Sequence, residues 1–390
     1  MKKEKFKVAV LLDTSRAYDR DVLQGIAHFN KLYEKFNFFF YSPKYINPSN
    51  QLKLIERLAD WRPHGVICRE LAGIENILAW NIPVIVAPHT KPYKDCVNLW
   101  ADNFQIGSLA AEYFLNKGYR YLGLLGFKKF VWSLERENGY QVSAGKSHVR
   151  VEHFLFDDNR MLWEDLPNRL LEWLKKIPKP CAIFSVTDEL SLNLLEAAKQ
   201  ADYKVPDELA ILGVDNDELL CEMMMPTLSS IDQDAWRGGF DTASVLLKWI
   251  ETGSRPTTDV IIKPIGIIER HSTSALAIDD EQVRIALNFI NENAPHQEID
   301  VSDVTQSTTN SRRILEKKFN QLLNSTILDE IRKVRIQRIK YFLEESDLSA
   351  QQIAYELGFG TPNNITRYFK NATGYKPLEY RQKFHHKKVK

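Results

Sequence analysis

Ile353-Ala354-Tyr355-Glu356-Leu357-Gly358-Phe359, followed by Arg367-Tyr368-Phe369-Lys370 and by Gly374-Tyr375-Lys376-Pro377-Leu378-Glu379-Tyr380-Arg381, is the passage that decides the reading of this chain. Ile353, Ala354 and Leu357 fall on one face at helical spacing. Ala354 is small enough to let a second helix cross closely. Gly358 stands where a helix ends in a left-handed residue, which glycine adopts without a Cβ penalty. Phe359 can then fold back onto the first helix. The next segment keeps Ile365 and Phe369 inward and presents Asn363, Asn364, Thr366, Arg367 and Lys370 outward, with Thr361 at its entrance. Two helices around a tight turn, the second carrying groups suited to bases and phosphates, make a helix-turn-helix.

The spacing I-A-x-x-x-G-F, R-x-F-K and G-x-x-P-x-x-Y-R resembles the second helix-turn-helix of AraC-type transcription regulators. Two positions depart from the family pattern: Ile365 replaces an aromatic residue, and Lys376 replaces the Ser or Thr before the proline. Both read as packing or capping changes. Upstream, Asp300 to Phe319 resembles the family's first helix-turn-helix, less closely. Its turn is Gln306-Ser307-Thr308-Thr309-Asn310, where glycine and serine are usual. Ser311, Arg312, Arg313, Glu316 and Lys317 would line its recognition helix, with Leu315 and Phe319 inward. The DNA contacts this implies are Ser311, Arg312, Arg313 and Lys317 in the first motif, and Thr361, Asn363, Asn364, Thr366, Arg367 and Lys370 in the second. Leu328 to Leu343 reads as a connecting helix carrying Arg332, Lys333, Arg335, Arg338 and Lys340, some of them ordinary solvated charges. Before the motifs, Ile278 to Glu281 looks like a linker into a helix with Val283, Ala286, Leu287 and Ile290 inward. Lys387, Lys388 and Lys390 form a basic tail suited to nonspecific phosphate contact.

The chain has 390 residues, enough for two or three domains. The net charge is close to zero, but about +5 falls from Glu281 onward and about −4 before it. The basic end is the one suited to nucleic acid. The apolar run near the start, Val8 to Leu12, is ended by Asp13 without a cleavage signal, so it reads as a first strand. No run is long enough to span a membrane. Cys68, Cys96, Cys181 and Cys221 lack metal-ligand spacing and read as reduced thiols of a cytoplasmic protein.

From Lys7 to about Arg270, strand and helix patterns alternate. Strands are expected at 8–12, 38–41, 65–68, 84–87, 121–126, 181–186 and 209–214. Amphipathic helices are expected at 22–33, 106–117, 190–201 and 238–251. Such alternation predicts parallel sheets flanked by helices, and two such units fit the length. Several segments then resemble the sugar sensors of LacI/GalR-type regulators and the periplasmic sugar-binding proteins. They are Asp102-Asn103 with Gly107 and Ala110-Ala111, Lys117 to Tyr121, Arg136 to Tyr140, Thr187-Asp188-Glu189, Val205 to Asn216, and Leu228 to Gln233, the last looking like a third crossover between lobes. LacI-type repressors carry a DNA-binding domain before the first strand. Here that strand opens near the start, so the resemblance implies that DNA is read by the C-terminal part. Arg16 to Arg20 and Gly266 to Thr273 extend the likeness, to regulators joining these two parts, over the full length. The fold expected is an α/β two-lobed periplasmic-binding-protein-like sensor over 1–275, then an all-α domain with two helix-turn-helix motifs over 276–390.

In open α/β sheets ligands bind beyond the carboxyl ends of strands. A sugar needs fixed donors and acceptors for its hydroxyls and a flat apolar surface for its C–H face. Asp215, at a strand end, could accept from two hydroxyls or serve only as a turn residue. Arg136 offers a planar donor fork or a salt bridge. Gln233 can donate and accept, or be an ordinary crossover residue. Asp188 could bind ligand or cap its helix, with Thr187 as the alternative contact. Tyr18 and Trp132 could stack on the sugar or be core. Ser15, Asp19 and Arg69 lie after early strands or in their loops.

The resemblance implies a sugar-responsive transcription activator, with a pentose, xylose foremost, as effector. Its partners would be double-stranded DNA and that sugar, with a homodimer formed through the sensor and RNA polymerase as the target of activation. No cofactor or metal is expected. An enzyme acting on a sugar is the alternative, but no phosphate loop, nucleophile elbow or metal-ligand cluster is present in the sequence. A transport-type binding protein is a third reading, disfavoured by the DNA reader.

Overall fold

The chain divides into two compact units, Met1–Ala277 and Ile278–Lys390. The computed structural model describes residues 5–41, 48–157, 160–274, 280–323, 325–346, 348–359 and 362–384.

In the first unit strands and helices alternate. They run β1 (Phe6–Leu11), α1 (Ala17–Tyr33), β2 (Phe36–Tyr41), α2 (Pro48–Trp61), β3 (Gly65–Arg69), α3 (Ile74–Leu78), β4 (Val84–Ala87), β5 (Val97–Ala101), α4 (Asn103–Asn116), β6 (Leu122–Phe127), α5 (Val131–Lys146) and β7 (Val151–Phe156). There follow α6 (Leu166–Leu174), β8 (Cys181–Ser185), α7 (Asp188–Gln200), β9 (Leu209–Val214), α8 (Glu218–Met223), β10 (Ser229–Asp232), α9 (Ala235–Thr252), β11 (Val260–Ile262) and β12 (Gly266–Ile268). One sheet has the order β11-β5-β4-β3-β1-β2 and the other β12-β10-β9-β8-β6-β7. Every pairing is parallel except β10 with β12. Parallel strands are covered on both faces, which is why the central ones read as unbroken apolar runs. β5, β7, β11 and β12 lie outside the runs that read as strands. β5 carries Asn98, which holds Asp259 and Tyr93, and β7 is an edge strand interrupted by Glu152 and His153.

Each sheet is the centre of one lobe. Among the described residues the chain passes between lobes at Asp102, at Gln233–Asp234 and at Lys263–Ile265. The stretch Leu228 to Gln233, expected as a third crossover, is therefore β10 leading into the second. The strands run on without a break as far as Asp232, and β11 must still return the chain to the other sheet. The connections lie side by side: the Asp102 amide donates to Ile262 O at 2.7 Å and the Ile265 amide to Asp232 O at 2.9 Å.

Glycines set the helix packing that aims the site. α1 crosses α9 at Gly25 and Gly239, and α4 crosses α5 at Gly107 and Gly139; a Cβ on any of the four would overlap backbone of the facing helix. In both lobes the helix that follows a crossover thus lies on the helix that follows the lobe's first strand, α9 on α1 and α4 on α5. This close approach brings Arg136 of α5 against Asn103, the first residue of α4.

The second unit is all helical: α10 (Glu281–Asn293), α11 (Val301–Gln306), α12 (Arg312–Leu323), α13 (Ile327–Glu345), α14 (Ala350–Glu356), α15 (Pro362–Thr373) and α16 (Pro377–Phe384). Its helix starts are written in the sequence. Asp280, Asp300, Thr326 and Ser349 each accept from backbone amides of the first turn, with reciprocal capping boxes at Asp300/Asp303 and Ser349/Gln352; each cap contributes about 1 kcal/mol. Gly358 has φ 68°, and the Phe359 amide returns to Ala354 O at 2.8 Å. Ile353, Ala354, Leu357, Ile365 and Phe369 are buried with Ile339 and Leu343. Leu315 and Phe319 are buried as well, as are Val283, Ala286, Leu287 and Ile290 on α10. Arg381 donates to the carbonyls of Phe342, Leu343, Ser346 and Leu348, closing the end of α13.

Candidate ligand cleft and nucleic-acid interface

A cleft of about 670 Å³, including its open mouth, lies at the carboxyl ends of both sheets of the first unit. The first lobe contributes Arg16 and Tyr18 after β1, Arg69 at the end of β3, His89 after β4, and Trp100 at the end of β5. The second contributes Trp132 and Arg136 on α5, Thr187 to Glu189 after β8, and Asp215 and Asp217 after β9; Gln233 comes from the crossover.

Arg136 is buried and donates three hydrogen bonds within the protein. Its Nε donates to Asn103 Oδ1 at 3.0 Å, Nη1 to Val186 O at 2.5 Å, and Nη2 to Gln233 Oε1 at 2.8 Å. Its guanidinium lies 5.1 Å from the Trp132 ring centroid, and Trp132 stacks on Phe130. Gln233 in turn donates from Nε2 to Asp215. Asp215 has φ 108°, a conformation side-chain-bearing residues rarely adopt. Such strain costs about 1–3 kcal/mol and persists where the surroundings over-determine it. Here the Asp215 amide is bonded to Ile231 O and the next amide, of Asn216, to Ser230 Oγ. Burial pushes the Asp215 carboxyl up to about 7, against the pull of Arg136.

Asp188 lines the cleft but is already occupied. Thr187, not Asp188, caps α7. Asp188 accepts from Ser230 Oγ at 2.7 Å and the Asp217 amide at 2.9 Å, so it ties α7 to β10 and to the start of α8. Burial holds its carboxyl well above the ordinary range, and the Asp215 charge adds to that. Asp19 is not a lining residue. It is buried against Arg69, with Arg69 Nη2 2.6 Å from Oδ1, and it also accepts the Asp13 amide. Asp19 thereby aims Arg69, whose guanidinium lies 4.8 Å from the Tyr18 ring. Ser15 is exposed outside the cleft, its amide turned back to Asp13. Tyr18, Arg69, Trp132, Arg136, Asp188, Asp215 and Gln233 are thus brought together, and Ser15 and Asp19 are not among the lining residues.

Sequence reasoning passed over Arg16, His89, Asn103 and Glu189. His89 sits two residues past β4, so the strand-end rule alone would have found it. Its Nδ1 is buried without a hydrogen-bond partner among the described residues. Burial, then the positive charges of Arg69 and Arg16, lower its pKa to about 3, keeping the ring neutral. The cleft is therefore lined by a neutral imidazole, the guanidinium groups of Arg69 and Arg136, the Gln233 amide, the Asp215 carboxyl and the rings of Tyr18, Trp100 and Trp132.

In the second unit Ser311, Arg312, Arg313 and Lys317 are exposed on or beside α12, and Asn364, Arg367 and Lys370 on α15; Thr366 is half-buried. Asn363 lies in α15, and Thr361 is outside the described residues, as are Ile278, Asp279, Lys387, Lys388 and Lys390. Arg332 and Lys333 are paired with Asp329 and Glu330 one turn earlier, as solvated helix charges are. No group of metal-ligating side chains occurs among the described residues, and no described helix is long and apolar enough to cross a membrane.

Residues 111–273 match the periplasmic binding protein-like domain family, and residues 305–383 match a helix-turn-helix domain family. Fold and cleft define the class: this is a DNA-binding transcription regulator, with an α/β two-lobed periplasmic-binding-protein-like sensor followed by an all-α AraC-type helix-turn-helix domain. Over nearly its whole length it is similar to the xylose operon regulatory proteins. It is 26% identical to that of Haemophilus influenzae, over 98% of this chain and 99% of the relative. It is 25% identical to that of Escherichia coli K12, over 97% of each. Among solved structures, the xylose-binding transcription activator xylR has a TM-score of 0.67 at 24% identity, covering 99% of this chain and 100% of that one. A LacI family regulator from Enterococcus faecium with bound ribose has a TM-score of 0.58 at 20% identity, covering 69% of this chain and 99% of that one. These relatives are regulators, and the chain is not an enzyme.

Proposed function

We propose that the cleft binds a pentose, xylose foremost, and that the bound sugar turns on transcription of a sugar-catabolic operon. The observation that carries this is the relay from Arg136 through Gln233 to Asp215, which starts and ends on the second lobe and takes in Gln233 of the connection leading into the first. A ligand that uses these groups favours one lobe closure, and with it one arrangement of the DNA-reading domains. Sugar hydroxyls would meet Asp215, Gln233, the neutral His89 ring and the Arg69 guanidinium, with Tyr18 and Trp132 flanking the C–H face. The names of the near-full-length relatives support xylose as the sugar. The protein acts on DNA in the cytoplasm as a homodimer paired through its sensors, each copy placing both helix-turn-helix motifs in successive major grooves, and contacts RNA polymerase from there.

A thermal-shift screen of pentoses and hexoses tests the ligand, since a molecule that binds only the folded state raises its stability. Xylose should raise Tm most, and Asp215→Ala should abolish the shift while leaving sugar-free DNA binding intact. No shift with any pentose overturns the reading. Sedimentation of the full chain at micromolar concentration tests the dimer, and a monomer with and without xylose counts against it.

A further inference from the structure

We propose that Arg335 is a positioning residue that sets the separation of the two helix-turn-helix motifs, and hence the number of base pairs between the two DNA segments they contact; this rests on the reading that both motifs enter the major groove. Arg335 lies on the connecting helix α13, yet its side chain is turned inward and the residue is only 4% exposed. Nη1 donates to Gln297 O at 2.5 Å and Nη2 to Leu357 O at 2.8 Å. Gln297 belongs to the segment that leads into α11, in the first motif. Leu357 closes α14, in the second. The same guanidinium lies 4.3 Å from the ring of Phe359, which meets Tyr368 of α15 edge-on at 5.3 Å. The turn at Gly358 packs on the same segment, where an added Cβ would stand 3.4 Å from the Glu298 amide nitrogen. One planar fork therefore ties the lead-in of the first motif, the turn of the second and the second recognition helix to one point of α13.

Among the described residues this guanidinium makes no ion pair, although the Glu298 charge acts on it. A buried cation is a poor device for stability alone, because an apolar side chain would pack there at less desolvation cost. What the fork supplies is geometry: two donors at fixed angles, always charged, which a lysine cannot reproduce. Geometry matters here because helices in successive major grooves must stand roughly 34 Å apart, and one base pair shifts the target by about 3.4 Å and a tenth of a turn.

The test uses the full-length protein and a duplex enriched by it from a randomised pool. Footprinting locates the protected segments, and one, two or three base pairs are then inserted between them. The parent should lose about tenfold in affinity per insertion or more. Arg335→Met, checked for folding by circular dichroism, should bind the selected duplex about tenfold more weakly. It should bind the inserted duplexes within about threefold of that value, the motifs now being free to adjust. Arg335→Lys should show the same flattened profile. A folded Arg335→Met as sensitive to insertion as the parent overturns the proposal; if that variant does not fold, the same result from Arg335→Lys overturns it. A parent that protects a single segment overturns the two-motif reading and this proposal together, whereas two protected segments with parental sensitivity in the variants overturn this proposal alone.

Discussion

Arg136 Nη2 donates to Gln233 Oε1 at 2.8 Å, and the amide's other end donates to Asp215. The cation and the acid together fix which way this amide faces. Gln233→Glu replaces the donor facing Asp215 by a second carboxylate oxygen. Two acids sharing one site cannot both ionise without cost. The variant should remain folded, because Arg136 keeps its bonds to Asn103 and Val186. Its xylose affinity should fall by about 2–5 kcal/mol, the usual loss when a buried charged contact is broken. Isothermal calorimetry at pH 7 reads this directly, and parental affinity would remove Gln233 from the site.

The raised pKa of Asp215 makes the empty sensor sensitive to pH. Between the ordinary value of 3.8 and about 7, the folded protein holds a proton there that the unfolded chain has released. Stability should therefore decline as pH rises through that window, by at most about 1.4 kcal/mol per unit from this group, and level off above it. Asp215→Asn should lose that component of the slope in urea unfolding. Sugar hydroxyls donate to the ionised form, so xylose affinity should rise from pH 6 to 8 in the parent and stay flat in the variant. A parental slope in Asp215→Asn would contradict the assignment.

Two glycines on α5 should behave in opposite ways. A Cβ at Gly139 would overlap Phe104 O of α4, whereas one at Gly145 meets nothing within 4 Å. Gly139→Ala should cost about 1–3 kcal/mol through forced separation of the helices. That lowers Tm by roughly 2–4 °C per kcal/mol for a domain of this size. Gly145→Ala should be neutral or stabilising by up to about 1 kcal/mol, since alanine is the better helix former. Scanning calorimetry of the two variants decides it; equal losses would mean that the crossing is not tight.

On α15, Arg367 and Asn364 are both exposed but stand at different depths from the helix start. Arg367, well past the turn that enters the groove, should hold phosphate. Arg367→Ala should weaken all sequences alike and shallow the salt slope by about one unit. Asn364, in the first turn, is placed for a base edge, where Asn pairs adenine. Asn364→Ala should flatten preference at one or two base pairs in a selection from randomised duplexes. If it enriches the same sequences as the parent, α15 is oriented differently from this.

Much of the fold was legible because periodicity reports which face of an element is covered, and a few neighbouring residues decide that. Ile353, Ala354, Leu357, Ile365 and Phe369 lie inward as their spacing required. Gly358 takes the left-handed turn, and the apolar runs at 8–12, 65–68, 84–87 and 209–214 became sheet strands. The strand-end rule pointed to Asp215 and Arg69, and the family resemblance to Arg136 and Gln233; all four line the cleft. The sequence by itself determined two domain types, the covered faces of their helices and the end of each sheet at which a ligand would sit.

Only the tertiary structure decided which polar groups face each other. Arg136 and Gln233 are 97 positions apart and Arg69 and Asp19 are 50; no local pattern couples such pairs, and a carboxylate at a strand end looks alike whether one amide holds it, as Gln233 holds Asp215, or it joins separate elements, as Asp188 does. Backbone strain at Asp215, the His89 nitrogen without a partner among the described residues and the burial of Arg335 on a helix otherwise rich in solvated charge are of the same kind. The physical reason is that apolar burial is non-directional and is written in the spacing of one segment. A hydrogen bond or ion pair depends on distance and angle between groups that only the packing of distant segments brings together.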